Sequence, residues 1–238
     1  MTDQARLTPV GYHDLLRDLG QPGCPVCRGA ARAAARYLDA VLWEMVTDPG
    51  VRHRFRAAHG LCREHASLLL RVASRAAQAA GVAIMFQDFL RHVEGEVEAL
   101  ASGVGPRRRR RDPAAELRPH APCPACEPAR RTAEAYLRLL GAEAAGSPVG
   151  RAARSRGRGL CLPHLIAGVE LAGPPEHIRR LAEIFLRGEV ELREELSSFV
   201  RKHDHRFRGE PTSEVERSSW IRAVHRLAGA PPREDGSG

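Results

Sequence analysis

Apolar residues recur at three- and four-residue steps through most of the chain, the spacing that puts them on one face of an α-helix. Val10, Tyr12, Leu15, Leu16 and Leu19 predict a leading helix over Thr8 to Leu19, broken by Gly20-Gln21-Pro22-Gly23. A second helix starts behind Cys24, with Pro25 where a missing N–H costs nothing. It carries Ala34, Tyr37, Leu38, Val41 and Met45 until Asp48-Pro49-Gly50 stops it near Thr47. A short helix over Val51 to Ala58 leads back to Gly60-Leu61-Cys62, where a third begins and runs through Leu68, Leu69, Leu70 and Val72. After Gly81 a long helix carries Val82, Met85, Phe86, Phe89, Leu90, Val93, Val97 and Leu100.

The scheme then repeats. Ala133, Tyr136, Leu137 and Leu140 form a stripe, Gly146-Ser147-Pro148 breaks it, and a closing helix over Pro175 to Val200 turns Leu181, Ile184, Phe185, Leu192, Leu196 and Phe199 inward. Tyr37 and Tyr136, Leu38 and Leu137, Glu44 and Glu143, Pro49 and Pro148, Arg52 and Arg151, and Phe86 and Phe185 each stand 99 positions apart. The duplication spans residues 20–100 and 119–199. It predicts an all-α protein of two tandem helical repeats packed as a pseudo-two-fold helical bundle. The expected organisation is a first repeat over 1–104, an Arg/Pro-rich linker over 105–118, a second repeat over 119–203, and a C-terminal helix with a disordered tail over 204–238. In that tail, Val215, Trp220, Ile221, Val224 and Leu227 share one side of a helix over Ser213 to Leu227, a stripe read as docking on the core.

The same offset relates every cysteine. Cys24 and Cys27, then Cys62 and His65 after 34 intervening residues, are matched by Cys123, Cys126, Cys161 and His164, and these account for all 6 cysteines. Each copy offers three thiols and one imidazole as CxxC and CxxH chelate pairs, the ligand set of a closed tetrahedral zinc site. The hairpin between the pairs is expected to return Cys62 and His65 to Cys24 and Cys27, giving one Cys3His site per copy and two zinc ions per chain, with exchange of ligands between the copies left open. Both pairs fall at helix N-termini, where free N–H groups and the helix dipole favour thiolate. An iron–sulfur cluster on the same residues is the alternative, because histidine can replace one cysteine ligand.

Composition changes little of this. With 238 residues, 43% hydrophobic and 28% charged, the chain has enough material for real cores. The beginning lacks the apolar core of a signal peptide and no run is long enough to span a bilayer, so a cytoplasmic, non-membrane protein is expected. In that reducing compartment CxxC reads as ligand or redox thiol rather than disulfide. Five of the net +8 charges sit in Arg107 to Arg111, inside the linker. A solvated linker is the preferred reading of that run, with sequence-independent nucleic-acid contact as the weaker one.

His53 and His59 face Ala152 and Arg158 in the other copy, so surface or supporting positions are expected for them; His203 and His205 read as a solvated basic turn. The identities Arg52/Arg151 and Glu44/Glu143 are expected to tie the helical turns rather than contact thiolates. No hydrolase, kinase or metalloprotease signature occurs, which leans against enzyme function. The function expected is a non-catalytic zinc scaffold for an unidentified protein partner, with an oxidant-sensing or electron-transfer protein as the alternative; the oligomeric state is open.

Gly23-Cys24-Pro25-Val26-Cys27, Arg36-Tyr37-Leu38, Asp48-Pro49-Gly50-Val51-Arg52, Gly60-Leu61-Cys62-Arg63-Glu64-His65 and Gly81-Val82-Ala83-Ile84 together resemble a bacterial family known only as a domain of unknown function. The resemblance implies a bacterial, cytoplasmic, metal-binding protein and no activity.

Overall fold

A computed structural model describes residues 11–102, 113–155, 159–171, 173–207 and 209–230. The described residues are all-helical and contain no strand: α1 (Tyr12–Leu19), α2 (Pro25–Glu44), α3 (Pro49–Ala57), α4 (Arg63–Arg75), α5 (Ala79–Ala101), α6 (Pro113–Glu116), α7 (Cys126–Ala142), α8 (Pro148–Ala153), α9 (Leu162–Glu170), α10 (Pro175–Lys202), a 3-10 turn (His205–Phe207), α11 (Glu214–Arg217) and α12 (Ser219–Ala228). Thr8 to Val10, the run Arg107 to Arg111 and the tail over 231–238 lie outside them.

Equivalent residues set the boundaries of α3 and α8. The Asp48 carboxylate accepts from Val51 N–H at 2.7 Å and the Ser147 hydroxyl from Gly150 N–H at 3.0 Å, with Pro49 and Pro148 following as first helical residues. Arg52 Nε donates to the Val46 carbonyl at 2.9 Å and Arg151 donates to that of Gly146, so these paired arginines do tie the turns before their helices.

The chain divides into two compact units that do not follow the copies. One contains the segment ending at Ala31 together with Arg130 onward, and the other contains Arg32–Ala129. In the Arg32–Ala129 unit, Leu38, Val41 and Leu42 of α2, Phe55 of α3, Leu68, Leu69 and Val72 of α4, and Met85 and Phe89 of α5 form one buried cluster. Phe55 stacks on Phe89 with ring centroids 5.4 Å apart, and Arg56 holds Asp88 through two hydrogen bonds of 2.9 and 3.0 Å. Each fully buried leucine or phenylalanine contributes about 1.5–3 kcal/mol.

In the other unit, Leu15 and Leu19 of α1 pack with Tyr136, Leu137 and Leu140 of α7, Val149 of α8, and Leu181 and Ile184 of α10. Tyr136 is buried and donates its hydroxyl to the buried Asp18 carboxylate at 2.8 Å. A Cβ on Gly29 would come within 2.4 Å of the Tyr136 ring, so the ring requires glycine there.

The tail departs from expectation. Ser213 and Glu216 form a capping box that starts α11, and the helix breaks at Ser218 before α12. The apolar stripe faces outward: Trp220 is 54% exposed, Val224 57% and Leu227 60%. What α12 turns towards α9 and α10 is polar. Ser219 is buried, Arg226 donates to the Phe185 carbonyl and lies 4.7 Å over the Phe185 ring, and Arg222 pairs with Glu195 at 2.7 Å. Two arginines with carboxylate and carbonyl partners on α10 outweigh the stripe in setting the roll of the helix.

Candidate metal centre

All eight ligand-type residues named from the sequence converge, but in sets that cross the copies. Cys24 and Cys27 meet Cys161 and His164, while Cys62 and His65 meet Cys123 and Cys126. Within each set one ligand atom per residue lies within 4.8 Å of every other. The expectation of one complete set per copy is therefore corrected, and the helix lengths are in keeping with the exchange. α2 has 20 residues and travels about 30 Å, whereas the return helix α3 has 9 and covers about 14 Å. α7 and α8, with 17 and 6 residues, show the same shortfall. Neither return helix alone retraces its hairpin, and the CxxC of one copy lies with the CxxH of the other.

Each set lies within one compact unit, and buried neighbours seat its loops. Val26, inside the first CxxC, and Leu160, just before Cys161, both belong to the Tyr136 cluster; Ala125, inside the second CxxC, and Leu61, just before Cys62, pack into the Leu38 cluster. Cys62 and Cys161 are the N-caps of α4 and α9, with extended ψ of 161° and 160°, which places His65 and His164 at the third helical position. Cys24 immediately precedes α2. Cys123 closes a turn with the Cys126 N–H on its carbonyl at 3.0 Å, so α7 begins two residues later than the equivalent α2.

The spacings suit a single ion. Zinc–sulfur bonds of about 2.3 Å and zinc–nitrogen bonds of about 2.0–2.1 Å at the tetrahedral angle put sulfur atoms about 3.8 Å apart and sulfur and nitrogen about 3.6 Å apart. In the first set, His164 Nδ1 lies 3.6 Å from Cys24 Sγ, 3.3 Å from Cys27 Sγ and 3.1 Å from Cys161 Sγ, and Cys27 Sγ is 3.6 Å from Cys161 Sγ. In the second, His65 Nδ1 lies 3.2 Å from Cys62 Sγ, 3.6 Å from Cys123 Sγ and 3.4 Å from Cys126 Sγ, and Cys62 Sγ is 3.9 Å from Cys126 Sγ. All six thiols are free, and these sulfur separations are close to twice a disulfide bond length.

Burial and mutual contact shift the protonation of the thiols and imidazoles of each set in opposite directions. Burial works against a charge on His164, but hydrogen bonds with Cys161 and Cys24 prevail and its imidazole is pushed up to about 10. Burial also opposes ionisation of Cys24, yet hydrogen bonds from Cys161, Cys27 and His164 hold that thiol well below its ordinary value. Hydrogen bonds with Cys161 and Cys24, and then burial, drive Cys27 the other way. In the second set burial, followed by the charges of Cys123 and Cys62, pushes Cys126 up to about 12, and burial lowers His65. A divalent ion would replace the bound protons and remove the repulsion among three thiolates.

Two neighbours of the first set were not legible from the sequence as supporting residues. Gly159, at φ 153°, leaves room for the Arg226 guanidinium, which a Cβ there would meet at 2.5 Å. Burial lowers Arg226, while Glu189 and the thiolates of Cys24 and Cys161 favour its charge.

The remaining histidines divide. His53 is exposed and His205 is 82% exposed, while His203 Nδ1 lies 2.8 Å from the Phe199 carbonyl in the turn after α10. His59, expected at a surface or supporting position, instead joins His92 and Glu96 in a third cluster.

The chain belongs to the family of unknown function DUF6062, whose model matches residues 20–234. No curated protein and no solved structure matches the chain. Among the described residues, no helix is long and apolar enough to cross a membrane.

Proposed function

We propose that this member of the family is a non-catalytic zinc protein: two closed Cys3His sites, each built from the CxxC of one copy and the CxxH of the other, hold a helical scaffold that docks a protein partner. The observation that carries this reading is the pair of four-ligand sets with sulfur–nitrogen spacings of 3.1–3.6 Å, close to those of a tetrahedral zinc shell. Three thiolates and an imidazole leave no open position, the pattern of structural rather than catalytic zinc. Because both pairs in a set come from distant parts of the chain, the ion would tie together segments that sequence alone keeps apart, and its binding free energy becomes folding free energy.

The geometry favours one ion over an iron–sulfur cluster, since four ligand atoms within 4.8 Å of one another leave no space for irons bridged by sulfide. The docking role draws on the outward face of α12, where Trp220, Val224 and Leu227 stand exposed one helical turn apart.

The test is metal content with an optical spectrum on protein purified without oxygen and without a metal-affinity tag. About two zinc ions per chain and no visible bands are expected. Iron with sulfide and a brown colour would overturn the reading in favour of electron transfer or oxidant sensing.

A further inference from the structure

In the Arg32–Ala129 unit a third group of metal-binding side chains stands on elements unrelated to the cysteine sets. His92 and Glu96 are one turn apart on α5, and His59 follows the end of α3. His59 Nε2 lies 3.0 Å from Glu96 Oε2, and His92 Nε2 lies 3.4 Å from Glu96 Oε1. One donor atom from each of the three residues lies within 4.8 Å of the other two.

Three observations point to a ligand here. First, His59 Nε2 and Glu96 Oε2 are buried atoms 3.0 Å apart that have no hydrogen-bond partner among the described residues. Donors about 2.1 Å from a shared ion are about 3.0 Å apart at a right angle and about 3.4 Å apart at the tetrahedral angle, so the observed edges fit an ion. Second, the backbone of His59 is held in an unfavourable conformation. The Gly60 N–H reaches the Phe55 carbonyl at 2.7 Å and the His59 N–H reaches that of Arg56 at 2.9 Å, a Schellman cap whose left-handed position usually takes glycine. His59 occupies it at φ 49° and thereby aims its ring at α5. Third, the other copy offers a contrast: Glu195, the counterpart of Glu96, pairs with Arg222 at 2.7 Å, whereas among the described residues the ion-pair partners given for Glu96 are the imidazoles of His59 and His92.

We infer that His59, His92 and Glu96 form a third metal site, open where the cysteine sites are closed, that takes a divalent first-row transition ion. Two imidazoles and one carboxylate are the ligands of open zinc and non-haem iron sites, in which water or substrate fills the remaining positions. His120 stands beside it. Its N–H and that of Ala121 bond the Ala57 carbonyl at 2.8 and 2.9 Å, which sets its ring edge-on to His59 at 6.2 Å between centroids.

The test is a zinc titration by calorimetry of the full chain carrying its tightly held metal, repeated with cobalt(II) under an optical spectrum. One further equivalent is expected, weaker than the tightly held ions, and the cobalt in it should lack the sulfur-to-metal absorption that thiolate ligands give. Glu96→Gln and His92→Gln should each weaken that equivalent by at least about tenfold, with the tightly held metal and the helicity unchanged. His59→Asn, which keeps a residue tolerant of the left-handed backbone, should do the same. His92→Gln carries the inference should the other variants fail to fold, because the His92 side chain is 38% exposed and packs at the surface. No further equivalent, a further equivalent that His92→Gln leaves intact (an adventitious ion only), or one showing thiolate absorption would overturn it.

Discussion

Cys27 Sγ lies 3.3 Å from His164 Nδ1 although 137 positions separate the two residues in the chain. That contact joins the start of the first copy to the last chelate pair of the second, and its counterpart joins Cys126 to His65 at 3.4 Å. Duplication supplies the ligands, but the sites exist only through exchange between copies. Closing a loop of that length is entropically costly, and a metal ion bound at both ends would offset the cost.

Removal of metal should therefore loosen both units. Structural zinc sites contribute on the order of 10 kcal/mol or more of apparent folding free energy, as much as the whole stability of a typical domain. A strong chelator is expected to lower helical circular dichroism and the thermal midpoint, and added zinc should restore both.

Tyr136 and Asp18 form a hydrogen bond between buried side chains. Tyr136→Phe removes the donor and leaves the carboxylate in place, which should cost about 1–3 kcal/mol in denaturant melts. Gly29→Ala should destabilise by a similar amount, about 1–3 kcal/mol, because the new methyl group overlaps the Tyr136 ring.

Arg226 anchors α12 on α10 through Phe185 and Glu189, with its guanidinium close against Gly159 just before Cys161. Arg226→Ala is expected to free the terminal helix, raising the rate of proteolysis after α10 and weakening metal retention at the Cys24 set while leaving the Cys62 set unchanged. Metal release followed with a chromogenic chelator in single-site variants would show whether the two sites respond differently.

The Glu216 carboxyl is held down at about 2, first by Lys202, then by the Ser198 hydroxyl and the Ser213 N–H. Because the folded value is depressed, these contacts favour the folded arrangement fully above about pH 4 and lose that effect as the pH falls through about 2. Amide protection in α11, measured relative to α10, should decline across that window in the wild-type chain. In Glu216→Gln it should be low and flat.

Much of this was legible in the residues and some was not. The 99-residue offset exposed all eight ligands, and helical periodicity located the principal helices. Ligand exchange was not legible, because the offset matches each ligand to its copy and does not say which chelate pairs meet in space. The Trp220 stripe misled because helical spacing of apolar residues does not say which face docks; Arg222 and Arg226, with partners on α10, decided that. His92 and Glu96 gave no signal, because a histidine and a glutamate one turn apart look like any solvated helix face until His59 arrives from another helix.

The central claim is that the metal sites cross the copies, and the most direct measurement is zinc content in two double variants. With two zinc ions in the wild-type chain, Cys27→Ser/Cys161→Ser damages one site on this account and should retain one. Cys27→Ser/Cys62→Ser damages both and should retain none. The reverse outcome, none in the first variant and one in the second, would mean that each copy holds its own metal, and it would contradict the exchange.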